Sequence, residues 1–295
     1  MTIQEAAERI RAGELVAFPT ETVYGLGANA LDARAVARIY EMKGRPEASP
    51  LIVHVASIDM AQSLVTEWPP EADELARRYW PGPLTLVLPK VSAIPDIVTA
   101  GLPTVGIRVP NHPLAQALIR EAGVPIAAPS ANRFMGLSPT TAGHVREAFG
   151  DAVPVLDGGP CQVGIESTVV SIIGGELKLL RPGMISLNDV GVAGVPPAGA
   201  AHPAPGMHLR HYSPRTPLVL STHPDPLGAY VWINLPAKAA RSIHMPNAAE
   251  VYAAILYGVL HELDREGWPV ICVEPPPDTI EWAAVRDRLQ RASAK

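Results

Sequence analysis

Apolar and polar positions follow two different periods along the first two thirds of the chain. Between residues 3 and 10 the apolar side chains recur at helical spacing, and Thr2 and Glu5 have the spacing of a capping box at the start of such a helix. Farther along, Asp32 has the position of an N-cap before the apolar residues Val36 and Ile39. Further helices are predicted over 58–66, 71–79, 113–121 and 141–149.

Short apolar runs, bounded by Pro, Gly and polar residues, separate these helical stretches. Runs of this length and composition are typical of strands. The predicted strands cover 14–18, 51–55, 84–88, 105–109, 125–128, 153–156, 168–173 and 176–180. Strands that alternate with helices indicate an α/β or α+β sheet domain over residues 1–190, and the pattern leaves the order of the strands open.

The composition changes after residue 190. Residues 191–216 are rich in Gly, Ala and Pro, which bury too little apolar surface to fold alone, so we interpret this stretch as a linker. Residues 217–295 are predicted to form a second, small α/β unit. Its strands are expected near 217–221, 229–234 and 269–273, and its helices over 248–265, with an apolar stripe of Val251, Ile255, Val259 and Leu263, and over 279–291.

The overall composition narrows the class of protein. Hydrophobic residues make up 47% of the chain, yet no run approaches the roughly 20 apolar residues that a membrane-spanning helix needs. The first residues also lack the basic region and apolar stretch of a secretory signal. Cys161 and Cys272 are far apart and have no metal-binding spacing. We therefore expect a cytoplasmic protein with no membrane partner, no disulfide framework and no metal site formed by its own side chains.

The distribution of charge argues against a tightly held nucleic acid. Residues 1–190 contain 15 Lys and Arg against 20 Asp and Glu, and residues 191–295 contain 9 of each kind. Neither part has the basic excess that supplies affinity for a phosphate backbone. Tight nucleic-acid binding is therefore not expected.

Two glycine-bearing turns are the first candidates for chemistry. The stretch Thr20 to Gly27 leaves the first strand as a polar turn that could hold a ligand, although it matches neither a dinucleotide fingerprint nor a Walker A loop. Lys43 and Arg45 flank a glycine at the end of a predicted helix. They are either ordinary C-terminal cations, which the helix dipole favours, or a clamp for a polyphosphate.

Two further segments place polar groups at strand ends. Ser130 and Asn132 follow a short apolar strand, and Ser138 precedes a predicted helix start. Such residues can bind a ligand, but they are also common turn formers. Arg108 is more informative because it lies in an otherwise apolar strand, where a charge needs a partner or a ligand carboxylate.

Together these segments resemble the YrdC-like threonylcarbamoyl-AMP synthases in their longer, two-domain form. The resemblance covers about 180 residues in order and extends to the segment 204–214 that distinguishes the longer form. The matching stretches are 18–27, 43–46 with 50–54, 80–85, 105–110, 128–132, 138–141, 163–170 and 180–183. It implies a twisted, open, mixed sheet flanked by helices, with a small Rossmann-like C-terminal α/β domain.

The resemblance also implies an activity. L-threonine, bicarbonate or CO2, and ATP with Mg²⁺ would form threonylcarbamoyl-AMP and pyrophosphate, and the product would pass to the machinery that modifies tRNA to threonylcarbamoyladenosine. In this family the chemistry needs no protein nucleophile, so catalysis would rest on positioning and on charge stabilisation around the phosphates. The enzyme would be a nucleotidyltransferase.

Site residues follow from the resemblance by position. Lys43 and Arg45 would be the catalytic residues. ATP or the acyl-adenylate would be bound by Lys43, Arg45, Ser49, Thr104, Ser130, Asn132, Ser138, Arg181 and Tyr212. Threonine would be bound by Thr22, His54, Arg108, Thr168 and the main chain at Ala128. Tyr212 would fold back from the linker as a lid, and Ser49 stands where the family commonly has Asn.

Two other functions compete with this interpretation. The alternatives are an RNA-binding module of the same fold class and a carbamoyl-transferring relative, whose chain would be much longer and would contain zinc-finger cysteines. Glu166 could be a general base, but a turn carboxylate that caps neighbouring N–H groups is favoured. His112 is expected to start a helix, and His144 and His261 are expected at helix surfaces.

Overall fold

A computed structural model describes residues 1–46, 49–186 and 210–294. The strands of these residues are β1 Val16–Phe18, β2 Gly25–Asn29, β3 Ile52–His54, β4 Leu84–Pro89, β5 Thr104–Arg108, β6 Ile126–Ala127, β7 Thr168–Ile173, β8 Glu176–Arg181, β9 Leu218–Leu220, β10 Ala229–Trp232, β11 Arg241–His244 and β12 Ile271–Val273. Their α-helices are α1 Ile3–Arg11, α2 Ala33–Lys43, α3 Ile58–Gln62, α4 Pro70–Tyr79, α5 Asp96–Thr99, α6 Pro113–Ala122, α7 Ala142–Phe149, α8 Ala249–Glu266 and α9 Ala283–Ser293.

The larger sheet has the strand order β1-β2-β6-β3-β5-β4-β7-β8. It is mixed, because β3 pairs with β5 and β4 with β7 in parallel, whereas the other neighbours are antiparallel. Successive residues of a strand point to opposite faces. Accordingly, Val16 and Phe18 pack with α1 and α6, while Ala17 packs with the core that includes α2 and α7. The expected open mixed sheet flanked by helices is confirmed.

The second sheet has the order β11-β10-β12-β9, and all of its paired strands are parallel. Helices α8 and α9 contribute buried residues to the core of this unit, so the expected small α/β domain is also confirmed. Strand β11, however, was not predicted from the sequence. The domain boundaries at residues 190 and 216 stay predictions, and most of the predicted linker, residues 191–209, lies outside the described residues.

Two strand predictions in the larger sheet are wrong. Residues 25–29, which were interpreted as part of a turn, form β2 between β1 and β6. Glycine is a poor strand former, but a Cβ at Gly27 would meet the Phe18 ring at 2.8 Å and Ile126 at 2.9 Å, so close packing requires glycine there. The predicted strand 153–156 instead contributes only a single bridge, from Val155 to Ala17.

The apolar face predicted for α8 is wrong in part: Leu263 is buried and Val259 packs against the core of this unit, as predicted, but the other two residues of the stripe are exposed. Val251 and Ile255 are 50% and 39% exposed, and the residues that the helix buries include Tyr252, Leu256 and Leu260. Both sets repeat at helical spacing, because the helix is apolar over much of its circumference. Periodicity alone therefore did not identify the face that packs on the sheet.

Helix α8 also packs against the unit that contains the larger sheet. Leu137 and Ile165 belong to the same apolar cluster as the buried residues of α8. Gly164 has a φ of +78°, and a Cβ there would lie 2.4 Å from the Ala253 carbonyl oxygen of α8. The close approach of the two units thus depends on glycine at this position. Among the described residues, no helix has both the length and the apolar character to cross a membrane.

Candidate active site

The strand ends of the larger sheet surround one pocket. Because β3 and β5 are parallel and in register, His54 lies beside Arg108 at the same edge of the sheet. The turn after β1 and the segment after β6 meet at this edge. The pocket has about 540 Å³ of empty space including its mouth, and it is lined by Thr20, Thr22, Val23, Gly25, Arg45, Ile52, His54, Arg108, Ala128, Pro129, Ser130, Glu166, Ser167, Arg181, His211 and Tyr212.

Arg108 has the partners that a buried charge requires. Its Nε donates to the Gly82 carbonyl at 3.1 Å, and its Nη1 donates to Thr22 Oγ1 at 2.9 Å. Its Nη2 lies 2.7 Å from Glu21 Oε2, an ion pair that is in contact without good hydrogen-bond alignment. Both side chains are at most 5% exposed. The guanidinium is thereby held rigidly at the pocket wall, where it can receive a carboxylate.

His54 is a neutral ring at the same end of the pocket. Burial, followed by the charge of Arg108, lowers the pKa of His54 to about 3. The Phe18 ring meets it edge to face at 5.9 Å. Its Nδ1 is buried and has no hydrogen-bond partner among the described residues. A buried polar atom of this kind fits a ligand that donates or accepts a hydrogen bond.

Cations gather at the other end of the pocket. Arg45 and Arg181 line it, and Lys43 lies behind them; all three are at most 7% exposed. Burial lowers the pKa of Arg45 to about 10, and it also lowers the pKa of Lys43 and Arg181. The charges of Arg45 and Lys43 disfavour each other, as do those of Arg45 and Arg181. An anion bound here would relieve both the desolvation and the repulsion.

Lys43 organises a loop rather than lining the pocket. Its Nζ donates to the main-chain carbonyls of Ser130 and Asn132 at 2.6 Å each and contacts Asn132 Oδ1 at 3.3 Å. Ser130 Oγ in turn donates to Asn132 Oδ1 at 2.6 Å. Three acceptors use the three donors of an ammonium group. Lys43 therefore fixes the position of Ser130, which does line the pocket.

Tyr212 covers the cationic end. It is 1% exposed, and its backbone is left-handed with a φ of 59°, an unusual conformation for a bulky residue. His211 meets its ring edge to face at 4.1 Å. The hydroxyl has no hydrogen-bond partner among the described residues, and burial raises the pKa of Tyr212. Tyr212 therefore lines the pocket, and its role as a lid stays a prediction.

The structure brings most of the predicted residues to the pocket, but not all. Those that line it are Thr22, Arg45, His54, Arg108, Ala128, Ser130, Arg181 and Tyr212. Lys43 and Asn132 lie behind Ser130, Ser138 contacts Glu166, and Thr168 adjoins Ser167, whereas Ser49 does not line the pocket. Thr104 is at the opposite end of β5 from Arg108, about 13 Å away at a strand's rise per residue, so the pocket does not include it.

Sequence reasoning missed Ser167 and His211, and it considered Glu166 but favoured the wrong interpretation for it. Glu166 does not cap a turn: its carboxylate accepts from Ser138 Oγ at 2.5 Å and from Arg288 Nε at 2.7 Å. Burial alone would raise the pKa of Glu166, but the nearby cations and Ser138 outweigh burial and lower it. Ser167 and His211 each come directly before a residue that was assigned to the site. This adjacency was the signal in the sequence that could have identified them.

The expectation that His144 and His261 are surface residues is wrong. Their rings stack at 3.8 Å where α7 meets α8, and His144 is only 8% exposed. Their closeness could not be inferred from periodicity, because it depends on how the two units dock. His112 does start a helix as expected, since its Nδ1 accepts from the Leu114 amide at 3.2 Å.

Acid is expected to destabilise the protein through its buried histidines. Burial lowers the pKa of His54 and of His144 to about 3. The unfolded chain binds protons to these rings below about pH 6.5, and the folded chain does not, so the free energy of unfolding should fall as the pH falls from 6.5 towards 3. The fall should reach about 1.4 kcal/mol per pH unit for each fully coupled ring.

Denaturant unfolding between pH 7 and pH 5 measures this effect. His144→Gln should flatten the decline, whereas His223→Gln, at an exposed position, should leave it unchanged. Identical slopes for wild type and His144→Gln would contradict a neutral, buried His144.

Comparison with known proteins identifies the family. The family model described as Telomere recombination, which covers Sua5, YciO and YrdC proteins, matches residues 8–183, and the model described as Threonylcarbamoyl-AMP synthase, C-terminal domain, matches residues 178–294. The threonylcarbamoyl-AMP synthase of Pyrococcus abyssi is 42% identical over 99% of this chain and 94% of its own length. The Bacillus subtilis protein of that name is 41% identical over 99% and 92%.

A solved structure of the same family also matches this chain. The crystal structure of P. abyssi Sua5 complexed with L-threonine matches with a TM-score of 0.92 at 42% identity, covering 99% of this chain and 94% of that one. E. coli YciO, at 21% identity and a TM-score of 0.56, shares the fold over 64% of this chain. The chain belongs to the threonylcarbamoyl-AMP synthase family.

Proposed function

We propose that this protein is a threonylcarbamoyl-AMP synthase, a nucleotidyltransferase that uses L-threonine, bicarbonate or CO2, and ATP. One observation carries the proposal: a single pocket has a rigid buried arginine, Arg108, at one end and a group of buried cations at the other. An amino acid carboxylate fits the first end and a triphosphate fits the second. The carbon source is the small reactant that joins them.

At the amino acid end, Arg108 would pair with the threonine carboxylate. Its Nε and one Nη1 donor are already used by Gly82 and Thr22, and its Nη2 is paired with Glu21, so the threonine carboxylate would use the remaining N–H groups of Nη1 and Nη2. His54 and Thr22 would contact the amino acid, with the main chain at Ala128 as a wall. Thr168 would act through its neighbour Ser167, because the Thr168 hydroxyl is hydrogen-bonded to the main chain of Ile185: it donates to the carbonyl and accepts from the amide.

At the nucleotide end, Arg45 and Arg181 would contact the phosphates, and Tyr212 would exclude water above them. Lys43 and Asn132 would hold Ser130 in place. Ser138 would help to orient the Glu166 carboxylate, to which its hydroxyl donates a hydrogen bond. The reaction then needs two bond-forming steps. The neutral threonine amine attacks the carbon of CO2 and loses a proton to solvent, which gives a carbamate; if bicarbonate is the carbon source, one water is also released. A carbamate oxygen then attacks the α-phosphorus of ATP while pyrophosphate leaves.

The protein's part in these steps is positioning and charge stabilisation. Holding three reactants in one pocket replaces encounters in solution with reaction between neighbours. Arg45 and Arg181 would stabilise the negative charge that builds up as the pyrophosphate leaves. Both arginines are prepared for this task, since burial has already removed their water.

Mg²⁺ would come with ATP rather than from a protein site. The carboxylate of Glu166, which lines the pocket, is bound by Arg288 and Ser138, and that of Glu21 is paired with Arg108. Within residues 1–46, 49–186 and 210–294 there is no group of three metal-binding side chains. Mg²⁺ is commonly held by substrate phosphates and water with few protein ligands. When bound, the ion would neutralise phosphate charge.

The biological setting follows from the product. A threonylcarbamoyl adenylate is an activated donor, so we propose that it passes to machinery that modifies tRNA to threonylcarbamoyladenosine, in the cytoplasm. We also retain the proposed division into a catalytic domain to residue 190, a linker and lid to residue 216, and a C-terminal domain. Association with RNA is not required for the adenylation itself.

Mass spectrometry of a reaction with ATP, L-threonine and bicarbonate tests the proposal. We expect threonylcarbamoyl-AMP, with pyrophosphate released only when threonine and bicarbonate are both present. L-serine is the matched control, because it lacks only the methyl group. Equal rates with serine, or with no amino acid, would contradict the threonine assignment, and salt-dependent RNA binding at nanomolar concentration without pyrophosphate release would favour the RNA-binding alternative.

A further inference from the structure

Arg288 is an arginine of the C-terminal unit that is completely buried. It lies in α9 and has 0% side-chain exposure, which is rare for arginine unless its charge is compensated. Its Nε donates to Glu166 Oε2 at 2.7 Å, and its Nη2 donates to the Glu166 carbonyl at 3.2 Å. Its Nη1 donates to Asp287 at 2.7 Å. Arg288 thus joins the C-terminal unit to the pocket.

Glu166 is the acceptor at the centre of this contact. Besides Arg288, it accepts hydrogen bonds from Ser138 Oγ at 2.5 Å and from Tyr257 of α8 at 3.2 Å. Ser138 and Glu166 belong to the catalytic part of the chain, whereas Arg288 and Tyr257 belong to the C-terminal unit. The carboxylate that lines the pocket is therefore oriented from both sides.

The same guanidinium also supports Tyr212. The Arg288 Cζ lies 5.3 Å from the centre of the Tyr212 ring, a distance at which a desolvated cation attracts an aromatic face. The Tyr257 ring lies 5.9 Å from the same ring. Beside Tyr212, the Ser213 amide donates to the Met135 carbonyl at 2.9 Å. Tyr212 is held in its left-handed conformation by these contacts, because that conformation is unfavourable on its own.

We propose that Arg288 is a positioning residue for adenylation: it seats Tyr212 over the cationic end of the pocket and orients Glu166. This role rests on the proposed function. It gives the C-terminal domain a task, which is to complete the nucleotide site of the catalytic domain from outside. The amino acid end at Arg108 has no contact with Arg288, so the effect should be confined to the nucleotide.

Three variants test this role. Arg288→Gln removes the positive charge, and Arg288→Lys keeps the charge but replaces the planar guanidinium by an ammonium group. Because Arg288→Gln leaves Glu166 buried without its partner and could unfold the chain, the double variant Glu166→Gln with Arg288→Gln removes both charges. Arg265→Gln is the matched control, since Arg265 bridges to Glu147 across the same interface at 3.2 Å but on the exposed surface.

Two measurements separate positioning from general stability. Hydrogen exchange followed by mass spectrometry reports the opening of residues 210–216 without any need for activity. Titration calorimetry with ATP and separately with L-threonine reports the two ends of the pocket. Loss of the cation under Tyr212 should speed exchange in 210–216 and weaken ATP binding by about tenfold or more each. The affinity for L-threonine should change by less than about threefold, since that end is independent.

In steady-state assays the KM for ATP should rise in Arg288→Gln and recover partly in Arg288→Lys, with Arg265→Gln equal to wild type. Exchange and ATP affinity at wild-type values in a folded Arg288→Gln or double variant would overturn the proposal, as would equal weakening of ATP and L-threonine binding. If wild type forms no threonylcarbamoyl-AMP but exchange at 210–216 still depends on Arg288, the proposed function fails and the seating of Tyr212 by Arg288 stands.

Discussion

Arg45→Ala should lower the rate of threonylcarbamoyl-AMP formation by about 100- to 1000-fold, the range expected when one charge-stabilising donor is removed from an enclosed site. Arg45 lines the cationic end of the pocket, and burial lowers its pKa to about 10. Its Nη2 donates to the Pro50 carbonyl at 3.1 Å, and its Nε has no hydrogen-bond partner among the described residues. The fold therefore makes little use of this guanidinium, so a phosphate is the partner for which it is suited.

The stability of Arg45→Ala is the decisive companion measurement. Among the described residues no carboxylate is in contact with Arg45, so removing this cation should leave the melting temperature within a few degrees of wild type. Arg34→Ala, at an exposed position on α2, the helix that ends just before Arg45, is the matched control. Pyrophosphate release should be measured at saturating ATP and threonine, and a loss smaller than about threefold would contradict a catalytic role for Arg45.

Lys43→Ala, at the last residue of α2, provides a contrast with Arg45→Ala. Its ammonium group is used by the carbonyls of Ser130 and Asn132, so its removal leaves buried acceptors unsatisfied. Lys43→Ala should therefore lower both activity and melting temperature. If it lowers activity alone, as Arg45→Ala should, then Lys43 contacts the nucleotide directly and its position in this structure is not the reactive one.

Arg108→Lys should raise the KM for L-threonine by about 100-fold with a smaller change in kcat, because a guanidinium that pairs with a carboxylate through two donors is replaced by a point charge. Lysine is the better test than alanine. Arg108→Ala would leave the Glu21 carboxylate buried and unpaired, at a cost of about 3–5 kcal/mol in stability. A lysine keeps the charge opposite Glu21, so a change in KM reports binding rather than unfolding.

Initial rates at varied threonine and saturating ATP give this result, and ATP binding in the absence of threonine should stay at the wild-type value. Arg120→Lys, at an exposed position on α6, is the control for the same chemical change. A variant with unchanged KM for threonine but weakened ATP binding would reassign Arg108 to the nucleotide end.

Helix caps and helical periodicity, which involve residues close together in the chain, gave the most reliable predictions from the sequence. The capping box of Thr2 and Glu5 and the N-cap Asp32 are present as predicted, and α4, α6 and α7 begin and end within about two residues of their predicted bounds. A cap or an amphipathic turn involves residues three or four apart, so its energetics are contained in a short stretch of sequence. This is why most helices around the larger sheet could be predicted, although α3 ends at Gln62 rather than at residue 66 and the short α5 was not predicted.

Predictions that depended on packing were less reliable. Gly25 to Asn29 forms a strand in which Gly27 packs closely against Phe18 and Ile126 of the neighbouring strands. Residue propensities within this stretch do not include that contact. The buried face of α8 was misassigned because the helix has apolar residues on both sides. Thr104 was assigned to the site by position in a motif, yet it lies at the far end of the strand that carries Arg108.

By itself, the sequence determined the family, the order of the segments and the identity of half of the residues that line the pocket, because these are properties of short motifs. The tertiary structure decided what those residues contact. The Glu166 carboxylate meets Arg288 across 122 positions of the chain, and Lys43 meets Asn132 across 89. Such pairs form only when separate elements are brought together and water is removed, so their strength and geometry are absent from any local stretch of sequence.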